Sequence, residues 1–219
     1  MATSQTAPYA ARLEIDYPER LDRITTFFRI LWAIPILIIF ALIEANATST
    51  VVTLDDAGEV TKTASESGGG VLAGIAVATA LMIVFRQRYP RWWFDFALEM
   101  NRFAARVGAY VALLTDKYPD TEMEQSVHLE IDYPDVQQDL NRWLPLVKWL
   151  LAIPHIFVLF FLFIGAVLAI VVAWFAILFT GKYPRVLFVY VVGVARWALR
   201  VQAYATLLVT DQYPPFSIA

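Results

Sequence analysis

Leu144–Thr180 reads LPLVKWLLAIPHIFVLFFLFIGAVLAIVVAWFAILFT, and Lys148 and His155 are its only ionisable side chains. A bilayer accommodates continuous apolar surface on this scale, and a soluble core does not. The bias extends along the whole 219-residue chain, which is 59% apolar and 17% charged. Soluble domains run nearer half apolar and about a quarter charged. The reading is a membrane protein. The 39 residues from Trp143 to Gly181 would measure about 58 Å as a single helix. The hydrocarbon core of a bilayer is about 30 Å thick, so a two-helix hairpin turning near Phe163–Gly165 is expected.

The chain repeats itself. Leu13-Glu14-Ile15-Asp16-Tyr17-Pro18 recurs as Leu129-Glu130-Ile131-Asp132-Tyr133-Pro134. Ala33-Ile34-Pro35 answers to Ala152-Ile153-Pro154, and Tyr89-Pro90-Arg91 to Tyr183-Pro184-Arg185. Arg102, Arg106-Val107 and Ala109-Tyr110 answer to Arg196, Arg200-Val201 and Ala203-Tyr204. Thr115-Asp116 and Tyr118-Pro119 answer to Thr210-Asp211 and Tyr213-Pro214. These colinear matches read as a duplication. They divide the chain into an N-terminal tail (1–9), a first repeat (10–120) with a polar insert (44–69) expected on the extracytoplasmic side, and a second repeat (121–219).

Each repeat opens with period-two alternation, the mark of a strand with one apolar face. Leu13, Ile15 and Tyr17 alternate with Arg12, Glu14 and Asp16; Val127, Leu129, Ile131 and Tyr133 alternate with His128, Glu130 and Asp132. The two strands are expected to pair outside the membrane, with each following Tyr-Pro opening a helix. In the first repeat, apolar runs Ile30–Ile43 and Gly68–Phe85 flank the insert. There Thr50–Thr53 and Val60–Thr63 bracket Asp55-Asp56-Ala57-Gly58, a hairpin pattern. A third element follows in each repeat. Asp95, Glu99, Arg102 and Arg106 fall on one helical face; only Arg196 and Arg200 keep that stripe in the second. An amphipathic helix at the interface is the expected reading, with a third span as the alternative.

The expected fold is therefore an all-α membrane protein of two parallel internal repeats. Each has a short strand, a transmembrane helical hairpin and an interfacial amphipathic helix, making four transmembrane helices. Of 17 Lys and Arg residues, 16 lie outside the insert. The positive-inside rule then places both termini in the cytoplasm of a multi-pass inner-membrane protein. Met1–Ala10 lacks a basic n-region and an apolar h-region, so the first apolar segment is expected to persist in the mature protein. The apolar runs of the first repeat, 14 and 18 residues, are shorter than the roughly 20 that a crossing needs. Dipping in from the cytoplasmic face is the alternative, opposed by the polar insert, whose backbone lipid cannot satisfy.

The second repeat carries a recognisable pattern. Val147–His155 is followed by Phe179-Thr180-Gly181-Lys182-Tyr183-Pro184-Arg185, then Arg196-Trp197…Arg200-Val201-Gln202-Ala203-Tyr204, then Thr210-Asp211-Gln212-Tyr213-Pro214-Pro215-Phe216. It resembles an uncharacterised bacterial membrane family, common in actinobacteria and catalogued only as a domain of unknown function. The first repeat follows more loosely, with Ile36 in place of His155 and Arg86-Gln87-Arg88 in place of Thr180-Gly181-Lys182. The resemblance implies the fold and membrane residence and brings no catalytic residues.

Chemistry is sparse. Cys is absent, which removes disulfides, thiolate metal sites and a Cys nucleophile. No phosphate loop, zinc motif or nucleophile elbow is present. The Arg102/Arg106 and Arg196/Arg200 pairs are the leading candidates, either gripping lipid phosphates or pairing with Asp116 and Asp211 as structural clasps. His155, with only His128 to join it, reads as structural. Glu14, Asp16, Glu130 and Asp132 read as solvated strand faces rather than a cation site, and Trp92, Trp93 and Trp143 suit an interfacial aromatic belt. The chain is expected to be no enzyme and to need no cofactor, metal or nucleic acid. Its expected partners are membrane lipids and a membrane-protein partner or a second copy. An accessory or scaffold subunit of a larger membrane complex is the leading function. A lipid-handling or membrane-shaping protein, and an oligomeric channel or transporter component, are the alternatives.

Overall fold

The alternating segments do form strands. In a computed structural model describing residues 9–44, 48–54, 60–67, 71–119 and 126–218, β1 (Ala11–Ile15) pairs antiparallel with β4 (Val127–Ile131). Leu13 faces Leu129 and Arg12 faces Glu130. Ala11, Leu13, Ile15, Val127, Leu129 and Ile131 are buried, while Glu14, Asp16, His128 and Glu130 are exposed. The polar insert forms a second antiparallel pair, β2 (Thr48–Leu54) with β3 (Val60–Ser67). The expected turn at Asp55–Gly58 and the tail residues 1–8 lie outside the described residues.

Helices supply the rest: α1 (Arg23–Phe27), α2 (Arg29–Glu44), α3 (Val71–Leu81) continued by a π-helical turn (Met82–Arg86), α4 (Arg91–Val111), α5 (Pro145–Leu151), α6 (Ile153–Thr180) and α7 (Arg185–Ala205). Asp22 caps α1 through its side chain, accepting from the Ile24 amide at 2.7 Å, a standard way to satisfy an orphan N–H. Pro90 and Pro184 immediately precede α4 and α7, where a missing N–H costs nothing. Pro18 and Pro134 open no helix; α1 starts five residues after Pro18 and α5 eleven after Pro134.

These elements stack in layers. The apolar face of the sheet lies on two helices, β1 on α7 and β4 on α4. Beneath them, α6 packs on α7 and α2 packs on α4. The outer face of the sheet is charged. The outer face of the opposite layer is apolar, with Ile30, Leu31, Ile38, Phe160, Phe161, Val167, Leu168, Val171 and Phe175 exposed.

The four-span, two-repeat architecture is overturned. Among the described residues only α6 and α7 are long and apolar enough to cross a membrane; the apolar stretches Arg29–Leu42 and Ala73–Arg86 are shorter. The second half has no turn near Phe163–Gly165. There α6 runs unbroken for 28 residues, about 42 Å, and the 39-residue stretch is instead divided between α5 and α6 at Ala152–Ile153. Gly165 is not a turn residue. A Cβ there would lie 2.5 Å from the Tyr190 hydroxyl, which donates to the Leu162 carbonyl at 3.0 Å; the glycine admits a crossing side chain. With two short helices and a β-hairpin in one half and one long helix in the other, the halves do not share one hairpin unit. Nor is α7, expected at the interface, set apart from the spans by composition, since Val186–Ala195 carries no charge.

Candidate functional site

The six candidate residues separate into two groups. Arg102 and Arg196 hold the sheet. Arg102 Nε donates to the Leu129 carbonyl at 3.1 Å, and Arg196 Nε to the Leu13 carbonyl at 2.8 Å. The Asp16 amide donates to Ser126 and the Asp132 amide to Ala10. By alternation, the carbonyls of the facing Leu13–Leu129 pair point away from the partner strand, so each arginine caps a sheet edge. Arg102 also pairs with Glu99 at 2.6 Å. Arg200 Nη2 donates to the Ser217 carbonyl, pinning the C-terminal segment, and Arg106 is half-buried one turn beyond Arg102.

Asp116 and Asp211 do not pair with these arginines, contrary to the clasp expected from sequence. Asp116 binds Arg29, whose guanidinium also donates to the Thr115 carbonyl at 2.6 Å and sits 4.3 Å over the Tyr110 ring. Asp211 binds Lys148 at 2.7 Å; the ammonium also donates to the Thr210 carbonyl at 2.7 Å and lies 5.1 Å from the Tyr204 ring centre. The second oxygen of Asp116 accepts from the Asp22 amide at 2.7 Å, and that of Asp211 from the Asn141 amide at 2.5 Å. Each carboxylate thus ties the segment after a long helix to the start of an earlier one. Both segments reverse direction through a buried leucine with positive φ, Leu113 at 63° and Leu208 at 58°. That backbone is strained for a side chain of this size, and burial of the leucines offsets the cost.

Arg29 and Lys148 are 3% and 0% exposed. The sequence held a signal for both. Lys148 is the one Lys or Arg of Leu144–Thr180, and Arg29 abuts the run beginning at Ile30; a cation in such a stretch demands an acidic partner. Burial pulls the Lys148 ammonium below its ordinary pKa, with Asp211 opposing that pull.

The Tyr-Pro pairs meet two by two, each one that follows a strand with the one that precedes the helix beneath that strand. Tyr17 OH donates to the Tyr183 carbonyl at 2.5 Å, and Tyr133 OH to the Tyr89 carbonyl. Arg185 lies over the Tyr17 ring at 5.3 Å and Arg91 over the Tyr133 ring at 4.8 Å. Tyr89 and Tyr183 are buried, and burial pushes the Tyr89 hydroxyl up to about 12 and raises that of Tyr183.

The strand carboxylates do not gather round a cation. Arg12 bridges Asp132 at 2.8 Å and Glu130 at 3.4 Å, and Asp16 sits 3.5 Å from His128. Among the described residues no group of three or more His, Asp or Glu side chains is placed to hold a metal. His155 is enclosed elsewhere: its Nδ1 accepts from Trp197 Nε1 at 3.1 Å, and its ring stacks 3.9 Å from Phe216.

One open cleft, of 630 Å³, lies between Gln87–Arg91 and Tyr133–Gln137. Arg88 lines it, Arg86 ends the adjoining helical turn, and neither has an ion-pair partner among the described residues. The same two chain segments continue into an apolar groove of 490 Å³ lined by Val77, Leu81, Val84, Phe85, Trp143 and Leu146. Arg142 stands at the groove, its Nε donating to the Val84 carbonyl at 2.5 Å.

The fold and these contacts define a mostly helical protein with, among the described residues, two helices long and apolar enough to cross a membrane and an interior fixed by buried ion pairs. Residues 143–217, which carry α5, α6, α7 and the C-terminal segment, match a family model described as a domain of unknown function (DUF4389). No curated protein and no solved structure matches the chain.

Proposed function

We propose that the protein is a non-enzymatic accessory or scaffold subunit seated in a bacterial cytoplasmic membrane. The layering carries this reading. A charged sheet bearing Arg12, Glu14, Asp16, Glu130 and Asp132 forms one outer face, and the exposed side chains of α2 and α6 form the other. Only 22% of the most apolar stretch of α6 is buried inside the protein, against 50% for α7; lipid is the natural solvent for the remainder. The Arg29–Asp116 and Lys148–Asp211 clasps are spent on internal bonds, which suits a rigid platform. Tyr9, bonded to the Arg200 and Gln212 carbonyls, and the C-terminal segment lie beside the sheet, consistent with both termini in the cytoplasm. Purification of the natively expressed, tagged chain in gentle detergent tests the role. A stoichiometric protein partner supports it, and a free monomer from every gentle detergent contradicts it.

A second reading, lipid handling, is favoured by the cleft. Arg88 lines the cleft, Arg86 is two positions before it in the chain, and Arg142 lines the apolar groove, an arrangement suited to an anionic phospholipid. One acid, Asp135, also lines the cleft, its carboxylate accepting from the Gln137 amide, while Asp95 pairs with Arg91. Arg86→Gln/Arg88→Gln should abolish any preference for phosphatidylglycerol over phosphatidylcholine in lipid co-purification; an unchanged preference removes this reading.

A further inference from the structure

We infer that neither α6 nor α7 carries the chain across the bilayer: the apolar layer is seated in a single leaflet, with both ends of each helix on the sheet's side. This rests on the membrane residence proposed above. The observation behind it is that the segment Tyr9–Leu21, which contains β1, is bonded to the chain from Gly181 to Gln212, which contains α7. At one end Tyr9 OH donates to the Arg200 and Gln212 carbonyls at 3.3 and 3.1 Å. In the middle Arg196 Nε reaches the Leu13 carbonyl at 2.8 Å. At the other end Tyr17 OH reaches the Tyr183 carbonyl at 2.5 Å, and the Leu21 amide reaches the Gly181 carbonyl at 3.0 Å.

The lengths agree. Eight extended steps from Tyr9 to Tyr17 cover about 26 Å, and the 17 from Tyr183 to Arg200 cover about the same in helix. Were α7 to cross, β1 would cross beside it. Glu14 and Asp16, with Glu130 on the paired strand, are exposed and would stand at the depth of the acyl chains. Ionised groups there are expensive, and a two-stranded sheet cannot satisfy its backbone in lipid. The same geometry governs α4, which β4 follows from Arg102–Leu129 to Tyr89–Tyr133.

Both ends of α6 are likewise tied down, the first to α7 and the second to the segment between β1 and α1. Near its start His155 binds Trp197, and just past its end Gly181 binds the Leu21 amide. Its buried residues, His155, Leu159, Ala166, Ala169, Ala173 and Ile177, form one stripe along its length. The helix therefore lies along the protein rather than projecting from it. A layer one helix thick, about 10 Å, fits within half of a hydrocarbon core about 30 Å deep. The occupant of the exposed face is acyl chain from one leaflet.

The absence of Cys makes single-cysteine labelling clean. Lys182→Cys (after α6), Gln212→Cys (after α7) and Glu130→Cys (on the sheet) all replace exposed residues. Each full-length variant is expressed, and inverted and right-side-out membrane vesicles are treated with an impermeant maleimide. All three should label in the same vesicle orientation. Labelling of Lys182→Cys only in the orientation opposite to Gln212→Cys would show that α7 crosses and overturn the inference. Release of the protein from vesicles by alkaline carbonate would instead overturn membrane residence itself, and the single-leaflet seat with it.

Discussion

Lys148, fully buried, places its ammonium 2.7 Å from a carboxylate oxygen of Asp211, 63 positions later in the chain. The contact joins the first turn of α5 to the segment after α7. Asp211→Asn would leave a cation without its counter-charge among apolar neighbours, at a cost of about 3–5 kcal/mol. Lys148→Met/Asp211→Asn should recover much of that loss, because the stranded charge is gone. Thermal unfolding of the three proteins in one detergent measures it; equal losses in the single and double variants would refute the coupling.

Arg196 and Arg102 cap opposite edges of a two-stranded sheet. Arg196→Ala should free the Leu13 carbonyl at a cost of about 1–3 kcal/mol and speed amide hydrogen exchange in β1 and β4. Exchange unchanged across both strands would show that the cap does not hold the sheet.

Gly165 and Tyr190 occupy the same space. Gly165→Ala places a methyl 2.5 Å from the Tyr190 hydroxyl, and overpacking of this kind costs about 1–3 kcal/mol. Tyr190→Phe removes the oxygen and should restore most of the stability of the alanine variant, apart from the lost bond to Leu162. Absence of any rescue in a double-mutant cycle would contradict the crossing.

Alkali should loosen the fold through its buried tyrosines. Tyr89 titrates at about 12 when folded and near 10 when unfolded. The folded state therefore holds this proton more tightly. The stability it contributes is complete below about pH 10 and is lost as pH climbs toward 12. Tyr89→Phe keeps the ring against Phe94, 5.7 Å away, and should move the alkaline unfolding midpoint upward. Circular dichroism against pH reads the midpoint, and no shift would exclude Tyr89 as a contributor.

Local patterns were the legible part of this fold. Alternation at Leu13–Tyr17 and Val127–Tyr133 located the paired strands, and Thr50–Thr53 with Val60–Thr63 located the hairpin strands. Helical spacing put Arg102 and Arg106 on one face of α4. What spacing does not encode is where the chain returns after a helix ends. The reversals at Leu113 and Leu208 carry Asp116 to Arg29 and Asp211 to Lys148, and no glycine marks either left-handed turn. Length arithmetic misled at α6: 39 apolar-flanked residues suggested a hairpin, whereas the break falls at Ala152–Ile153 and Gly165 serves packing. The path of β1 along α7 depends on tyrosine hydroxyl bonds between residues far apart in sequence, beyond the reach of any periodicity.

Spin labels test directly whether α6 faces lipid while the sheet faces water. Val167→Cys on α6 and Glu14→Cys on β1, each labelled in reconstituted phospholipid vesicles, report collision with oxygen, which favours lipid, and with a nickel chelate, which favours water. Oxygen-dominated relaxation is expected at Val167 and nickel-dominated relaxation at Glu14. Nickel access at Val167 equal to that at Glu14 would contradict this arrangement.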